Sequence, residues 1–199
     1  MIVGALCPPA WFDADALVVA ERALGCLLVR GEVVARITEV EAYRWPGDTA
    51  NHCRMGRTRR NAPMWGPPGH AYVYVCYGIH PMLNLVCDAE GAGAAVLVRG
   101  VEVVAGVDEV VARRGPARAG WMSGPGKVGA GLGLGPEWSG HPLFEPGGLE
   151  LRVGPSPASI VRGPRVGIGY ASPEDRAAPW RLADGMARVV PRIVAPAAR

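Results

Sequence analysis

No C-x-x-C pair occurs in the 199 residues, and the five cysteines (Cys7, Cys26, Cys53, Cys76 and Cys87) are odd in number and scattered. Neither a zinc knuckle nor a dithiol redox motif is indicated, and a disulfide framework is disfavoured. A reducing compartment is the simpler reading. No apolar run approaches the roughly 18 residues of a membrane span. The start, MIVGALCPPAWFD, lacks a basic region and meets two prolines before an apolar stretch develops. The expectation is therefore a soluble cytoplasmic chain with no signal peptide and no membrane association. There is no G-x-S-x-G elbow, H-E-x-x-H pair or dinucleotide fingerprint, which removes three common catalytic signatures. Lysine and phenylalanine are scarce while arginine and valine are plentiful. A GC-rich coding bias produces that pattern, so arginine content alone indicates no partner.

What is present is a globular composition, 49% hydrophobic and 20% charged, in a chain long enough to bury a core without covalent staples. One domain over residues 1–199 is expected. The 28 glycines and 19 prolines follow no period, which indicates turns and long ordered loops around a sheet. The net charge of +3 is mild but uneven. Residues 54–61, RMGRTRRN, hold Arg54, Arg57, Arg59 and Arg60 with no acid. A solvated face and a phosphate-contacting face fit this run equally well; guanidinium forks match phosphate oxygens.

FDADALVVAERALG has a helical stripe, with Asp13 or Asp15 as N-cap and Gly25 as the stop. CLLVR and VVARITEVEAYR are strands joined by a Gly31–Glu32 turn. Residues 46–71 form a long polar loop, AYVYVCYG is the clearest strand, and HPMLNLVCD and AAVLVRGVEVV are two more. VDEVVARR is a short helix and SGPGKVGAGLGLG a glycine-rich loop. GLELRV, PRVGIGY and ARVVPRIV are late strands or ends. Strands outnumber helices without alternating with them, so the class is α+β with a mixed or antiparallel sheet.

Within VVARITEVEAYR, strict alternation puts Val33, Ala35, Ile37, Glu39, Glu41 and Tyr43 on one face. Two carboxylates would then extend an apolar face, where an unpaired charge is costly. The plainer reading pairs each glutamate with an arginine of a neighbouring strand, Arg99 first. The other makes one of them a poised general base within a pocket. Tyr72, Tyr74 and Tyr77 come next in one run. Tyr74 and Tyr77 have opposite parity, so one must be displayed, and beside the arginine loop a displayed tyrosine suits stacking on or between bases. SGPGKVG lacks the full P-loop pattern. The N–H groups near Gly124 and Gly126, with Lys127, fit a single backbone phosphate or a plain turn.

Taken in order, EVEAY, NHCRMGRTRRN, AYVYVCYGIHPMLN, VLVRGVE, SGPGK and PRVGIGY resemble the alkyladenine (3-methyladenine) DNA glycosylase family, bacterial type, over about residues 10–185. The resemblance implies a single α+β domain with a curved, mainly antiparallel sheet flanked by short helices. It implies an enzyme that flips an alkylated or deaminated purine out of double-stranded DNA and hydrolyses its N-glycosidic bond, without metal or organic cofactor. Glu41 matches the residue that activates the water, and Arg99 and the Val166 carbonyl match groups that help hold it. Tyr43, His52 and Tyr74 match the pocket around the base. Asn84 matches the asparagine whose bulk disfavours guanine, and Tyr77 matches the wedge that fills the gap left in the duplex. Arg54, Arg57, Arg59, Arg60 and Lys127 are the backbone-contact candidates. His80 and Ile79 depart from the animal pattern beside the wedge. The implied protein is a monomer without obligate protein partner, active on the bacterial nucleoid, and monofunctional because no lysine is placed beside Glu41. A non-catalytic module binding damaged DNA and a nucleoside hydrolase are the competing classes.

Overall fold

The computed structural model describes residues 4–187. Asp15 accepts the Leu17 N–H at 2.9 Å and opens helix α1 (Ala16–Ala23), which buries Val19, Ala20 and Ala23. Gly25, at φ +87°, turns the chain out of it. Strands β1 (Leu27–Arg30) and β2 (Val33–Tyr43) form the expected hairpin through Gly31. After the long loop come β3 (Ala71–Cys76), β4 (His80–Cys87) and β5 (Ala94–Ala105), then helix α2 (Val107–Arg114) and helix α3 (Pro125–Gly131). Strands β6 (Leu149–Arg152) and β7 (Ile160–Gly163), helix α4 (Pro173–Ala177) and strand β8 (Arg181–Asp184) complete the described chain.

Every strand pairing among the described residues is antiparallel, in the order β3-β4-β5-β2-β1-β6. The outer edge of β2 is shared: β1 pairs with its first half and β8 with Glu39–Glu41. A strand whose edge is divided between two partners makes the sheet curl. The α+β class with a curved antiparallel sheet is as expected. Among the described residues no helix is long and apolar enough to cross a membrane.

The strict alternation expected for β2 is broken. Ile37 pairs with Val101, Glu39 with Gly100 and Val40 with Val98, so Thr38 is extra on β2 and Arg99 is extra on β5. Such bulges flip the parity of the residues beyond them. Val33, Ala35 and Ile37 lie in the main core, and beyond the bulge so do Val40 and Ala42. Glu39, Glu41 and Tyr43 are thereby moved off the core face. Gly100 suits the bulge, because a Cβ there would meet Thr38 Oγ1 at 3.1 Å.

One face of the sheet carries Ala71, Val73, Leu83, Leu85, Val96 and Val98 into the core that α1 covers. The other carries Tyr72, Tyr74, Asn84, Leu97 and Arg99, covered by the long loop and by the segment before α4. Two small satellite clusters flank that face. One joins Cys53, Met64 and Tyr72; the other joins Ala50, Ile168 and Ala171.

Two late segments differ from expectation. The glycine-rich stretch is a helix, α3, whose glycines permit close packing: a Cβ on Gly129 would lie 2.2 Å from the Pro81 carbonyl oxygen. PRVGIGY is not a strand; Gly167 sits at φ +79° and the Val166 N–H binds the Glu41 side chain instead. The strand forms just before it, as β7. ARVVPRIV lies, beyond Ala187, outside the described residues.

Candidate active site

Glu41 is fully buried, yet both its oxygens have donors. Oε1 accepts the Val166 N–H at 2.8 Å; Oε2 accepts the Tyr43 hydroxyl at 2.9 Å and Arg99 Nη1 at 3.3 Å. Arg99 also donates from Nε to Glu39 Oε1 at 3.0 Å, an oxygen that Arg181 Nε reaches at 2.6 Å. Each glutamate is therefore paired with arginine, as the plainer reading held, and Arg99 bridges the two. Glu39 is held by salt bridges to two arginines, while Glu41 also takes a backbone N–H and a phenol.

Burial raises the Glu41 carboxyl above the ordinary carboxylate value, and Arg99, the Val166 N–H and Tyr43 pull against it. Burial would lower Arg99, but Glu41 and Glu39 outweigh it and Arg99 is raised. Burial, then the neighbouring Glu41 charge, raises the Tyr43 phenol well above its ordinary range.

A cavity of about 450 Å³ opens over this cluster. Tyr43, His52, Tyr74, Asn84, Arg99 and Val166 line it, with Tyr77 at its margin. Glu41 lies one layer behind that wall, reached through Tyr43, Arg99 and Val166. His52 packs edge-on against Tyr74 with ring centroids 4.5 Å apart, and its Nδ1 is 3.3 Å from the Tyr72 hydroxyl. Burial, followed by Arg60 and Arg54, pushes His52 down to about 4, so it is neutral at pH 7. Asn84 is buried and donates from Nδ2 to the carbonyls of Tyr72 (3.1 Å) and Met82 (3.3 Å). Its fixed amide stands on the cavity wall.

The opposite parity of Tyr74 and Tyr77 has the expected result. Tyr74 faces the cavity, whereas Tyr77, in the turn between β3 and β4, is 91% exposed at φ +52°. Ile79 beside it is also exposed, and the His80 ring packs where a Cβ on Gly126 would lie 3.0 Å from its Cγ. Arg54, Arg57, Arg59 and Arg60 are all exposed, with Arg54 and Arg60 closest to the cavity. Lys127 is exposed in the first turn of α3 and donates to the Gly120 carbonyl at 3.0 Å. Val166 meets Glu41 through its N–H, a contact additional to the carbonyl–water contact that the resemblance implies.

Several supporting residues carried no signal in the sequence. Asp48 and Arg165 form a wholly buried bidentate pair, at 2.6 and 2.8 Å. The Arg165 guanidinium lies between the rings of Tyr43 (4.7 Å) and Trp180 (4.8 Å). Asp175 accepts from the Thr49 N–H at 2.8 Å and from the Thr49 hydroxyl. Asn51 accepts from the Cys53 N–H and donates to the Arg44 and Gly93 carbonyls. These bonds fix the loop that bears His52 to the segment that bears Val166. Loop polar residues of this kind are indistinguishable from surface ones until their partners, far off in sequence, are known.

Among the described residues no three His, Cys, Asp or Glu side chains converge as metal ligands would. A family model described as "Methylpurine-DNA glycosylase (MPG)" matches residues 10–186. A protein of Nitrosococcus oceani, provisionally named 3-methyladenine DNA glycosylase, is 60% identical over 179 residues, covering 89% of each chain. The DNA-3-methyladenine glycosylase of Arabidopsis thaliana is 55% identical over 181 residues, 89% of this chain and 71% of that one. A relative from Cutibacterium acnes, provisionally named in the same way, is 43% identical over 177 residues, 85% and 91% of the two chains.

Proposed function

Because the chain belongs to the methylpurine-DNA glycosylase family, we propose that it excises damaged purines from double-stranded DNA as a single glycosylase domain. It turns the damaged nucleotide out of the helix and holds the base between Tyr43, His52 and Tyr74. A water activated by Glu41 then hydrolyses the N-glycosidic bond and leaves an abasic site. The substrates are 3-methyladenine and 7-methylguanine, with hypoxanthine and ethenoadenine as neutral candidates.

The observation that carries this reading is Glu41 itself: a buried carboxylate held by Val166, Tyr43 and Arg99 behind an aromatic cavity. A module that only bound DNA would have no use for such a group. Alkylation at N3 or N7 makes the purine cationic and already a good leaving group. One carboxylate then suffices, whereas glycosidases acting on sugars need a pair across the bond. The water oxygen bonds to C1′, the C1′–N electron pair leaves with the base, and Glu41 takes the water's proton. The same carboxylate stabilises positive charge developing at C1′.

The walls suit a cationic base, which attracts aromatic faces. His52 must be neutral for this, since an imidazolium would repel the substrate, and its lowered pKa keeps it so. The fixed Asn84 amide opposes the exocyclic amino group of normal guanine. Tyr77 fills the gap left in the duplex and offsets part of the few kcal/mol that flipping costs. For neutral purines a proton must also be delivered to the leaving base.

The test is base release from a panel of duplexes, each carrying one lesion, with Glu41→Gln as the control. The wild-type protein should release 3-methyladenine, and the variant should bind the same duplex without releasing it. Wild-type turnover by the variant would remove Glu41 from its role. Binding without release by the wild-type protein would leave a damage-binding module.

A further inference from the structure

A second cavity, of about 330 Å³, adjoins the first and shares His52, Arg60 and Tyr170 with it. Its other walls include Arg54, Thr58 and Asn61, and no carboxylate lines it. Hydrolysis at Glu41 makes no use of this space. We propose that it is a phosphate subsite, in which Arg54 and Arg60 grip one backbone phosphodiester flanking the flipped nucleotide. This assignment rests on the glycosylase reading and sharpens it. Of the four loop arginines, these two line the cavity beside the base pocket.

The two guanidiniums are held in place but not neutralised. Arg54 stacks on the Tyr170 ring at 4.9 Å and donates one hydrogen bond, to the Asn51 carbonyl. Arg60 lies 5.8 Å from the Tyr74 ring centre and donates to the Val75 carbonyl at 3.3 Å. Neither belongs to an ion pair among the described residues. A guanidinium has five N–H donors, so most remain for a ligand with several acceptor oxygens.

The loop between them is built before any ligand arrives. Buried Asn61 accepts the Thr58 N–H at 2.6 Å and donates to the carbonyls of His52 and Gly56, each at 3.0 Å. That arrangement holds Arg54, Thr58 and Arg60 around one space. Two unpaired cations, a hydroxyl and no acid select an anion. The anions a nucleotide brings with its base are its flanking phosphates. Because the cavities share a wall, the phosphate that fits is one next to the lesion. Burial is the main cause of the lowered His52 imidazole, and Arg60 and Arg54 add to it from this side.

The test uses duplexes with one lesion and a single uncharged methylphosphonate, moved one position at a time along the lesion strand. Binding to the wild-type protein should weaken about tenfold at one phosphate beside the lesion, as expected when a charge-assisted bidentate contact is lost. The Arg54→Gln, Arg60→Gln double variant should bind the all-phosphate duplex about as weakly and lose little more at that position. An Arg57→Gln, Arg59→Gln variant should stay sensitive there. A flat wild-type profile across both flanking positions would overturn the subsite, as would equal sensitivity of the Arg54/Arg60 variant. Base release by the wild-type protein is followed in the same samples. If release occurs without a sensitive phosphate, the subsite fails and the glycosylase reading stands. If no lesion is released, the reading itself fails.

Discussion

The Val166 N–H donates to Glu41 Oε1 at 2.8 Å, joining residues 125 positions apart. The Val166 side chain is about half exposed and makes no part of the bond, so only the backbone matters. Val166→Ala should leave excision near the wild-type rate. Val166→Pro deletes the donor and should lower single-turnover excision about 100-fold, the scale of losing one preorganised donor. Because that N–H also holds the Glu41 carboxyl down, the acid limb of the pH–rate profile should move to higher pH. A rate loss without that shift would mean that proline only disturbs the loop.

The pH dependence of the wild-type protein has a defined sign. As the proposed base, Glu41 would act only when ionised, and burial raises it above the ordinary 4.5. Excision of a cationic lesion should therefore fall as pH drops through that raised value, with the limb above 4.5. His52 contributes nothing to this limb, because it stays neutral down to about 4. Arg99→Met removes the largest influence opposing burial, so its limb should lie higher still, with a rate loss at pH 7. A profile flat down to pH 4.5 would exclude Glu41 as the titrating base.

Tyr77 is 91% exposed and supports no core. Tyr77→Ala should leave unfolding stability within about 0.5 kcal/mol. Affinity for lesion-bearing duplex should fall about tenfold or more, the scale of one base–aromatic stack, and affinity for a single strand should fall much less. Comparable losses on both substrates would mean that Tyr77 makes an ordinary base contact and is no wedge.

Asn84→Ser tests the guanine filter. The asparagine amide is fixed by two carbonyls, so its bulk cannot swing aside. The shorter serine opens that wall, and excision of unmodified guanine should rise while 3-methyladenine release persists. Losing these bonds should cost about 1 kcal/mol of stability, read by denaturant unfolding. Unchanged guanine release would remove the filter from this residue.

The hairpin of β1 and β2, helix α1 and strands β3 to β5 were legible because each has its own periodicity and its own turn or cap. Glu41, Tyr43, His52, Tyr74 and Arg99 fall around one site, but alternation alone misplaces the glutamates. It puts them on the core face, and the paired bulges at Thr38 and Arg99 move them to the other. A bulge is set by the register of two strands together, so one strand's pattern cannot reveal it. Helix α3 was missed for a related reason. Its glycines oppose helix by propensity, but Gly129 is required by the Pro81 carbonyl against which it packs.

The Asp48–Arg165 pair was wholly invisible in the sequence, yet it supports the wall of the cavity from behind. Arg165 immediately precedes Val166, and its guanidinium lies 4.7 Å from the centre of the Tyr43 ring. Removing one partner of a wholly buried pair strands the other charge and costs about 3–5 kcal/mol. Arg165→Met should therefore destabilise the protein by that order in urea unfolding. Adding Asp48→Asn should restore part of the loss, because no uncompensated carboxylate then remains. Activity should not recover in parallel, since neither substitution rebuilds the contact beneath Tyr43. In the double variant, stability partly regained while single-turnover excision stays low would separate positioning of Tyr43 and Val166 from mere folding. Stability and rate recovering together would reduce the pair to a structural tie.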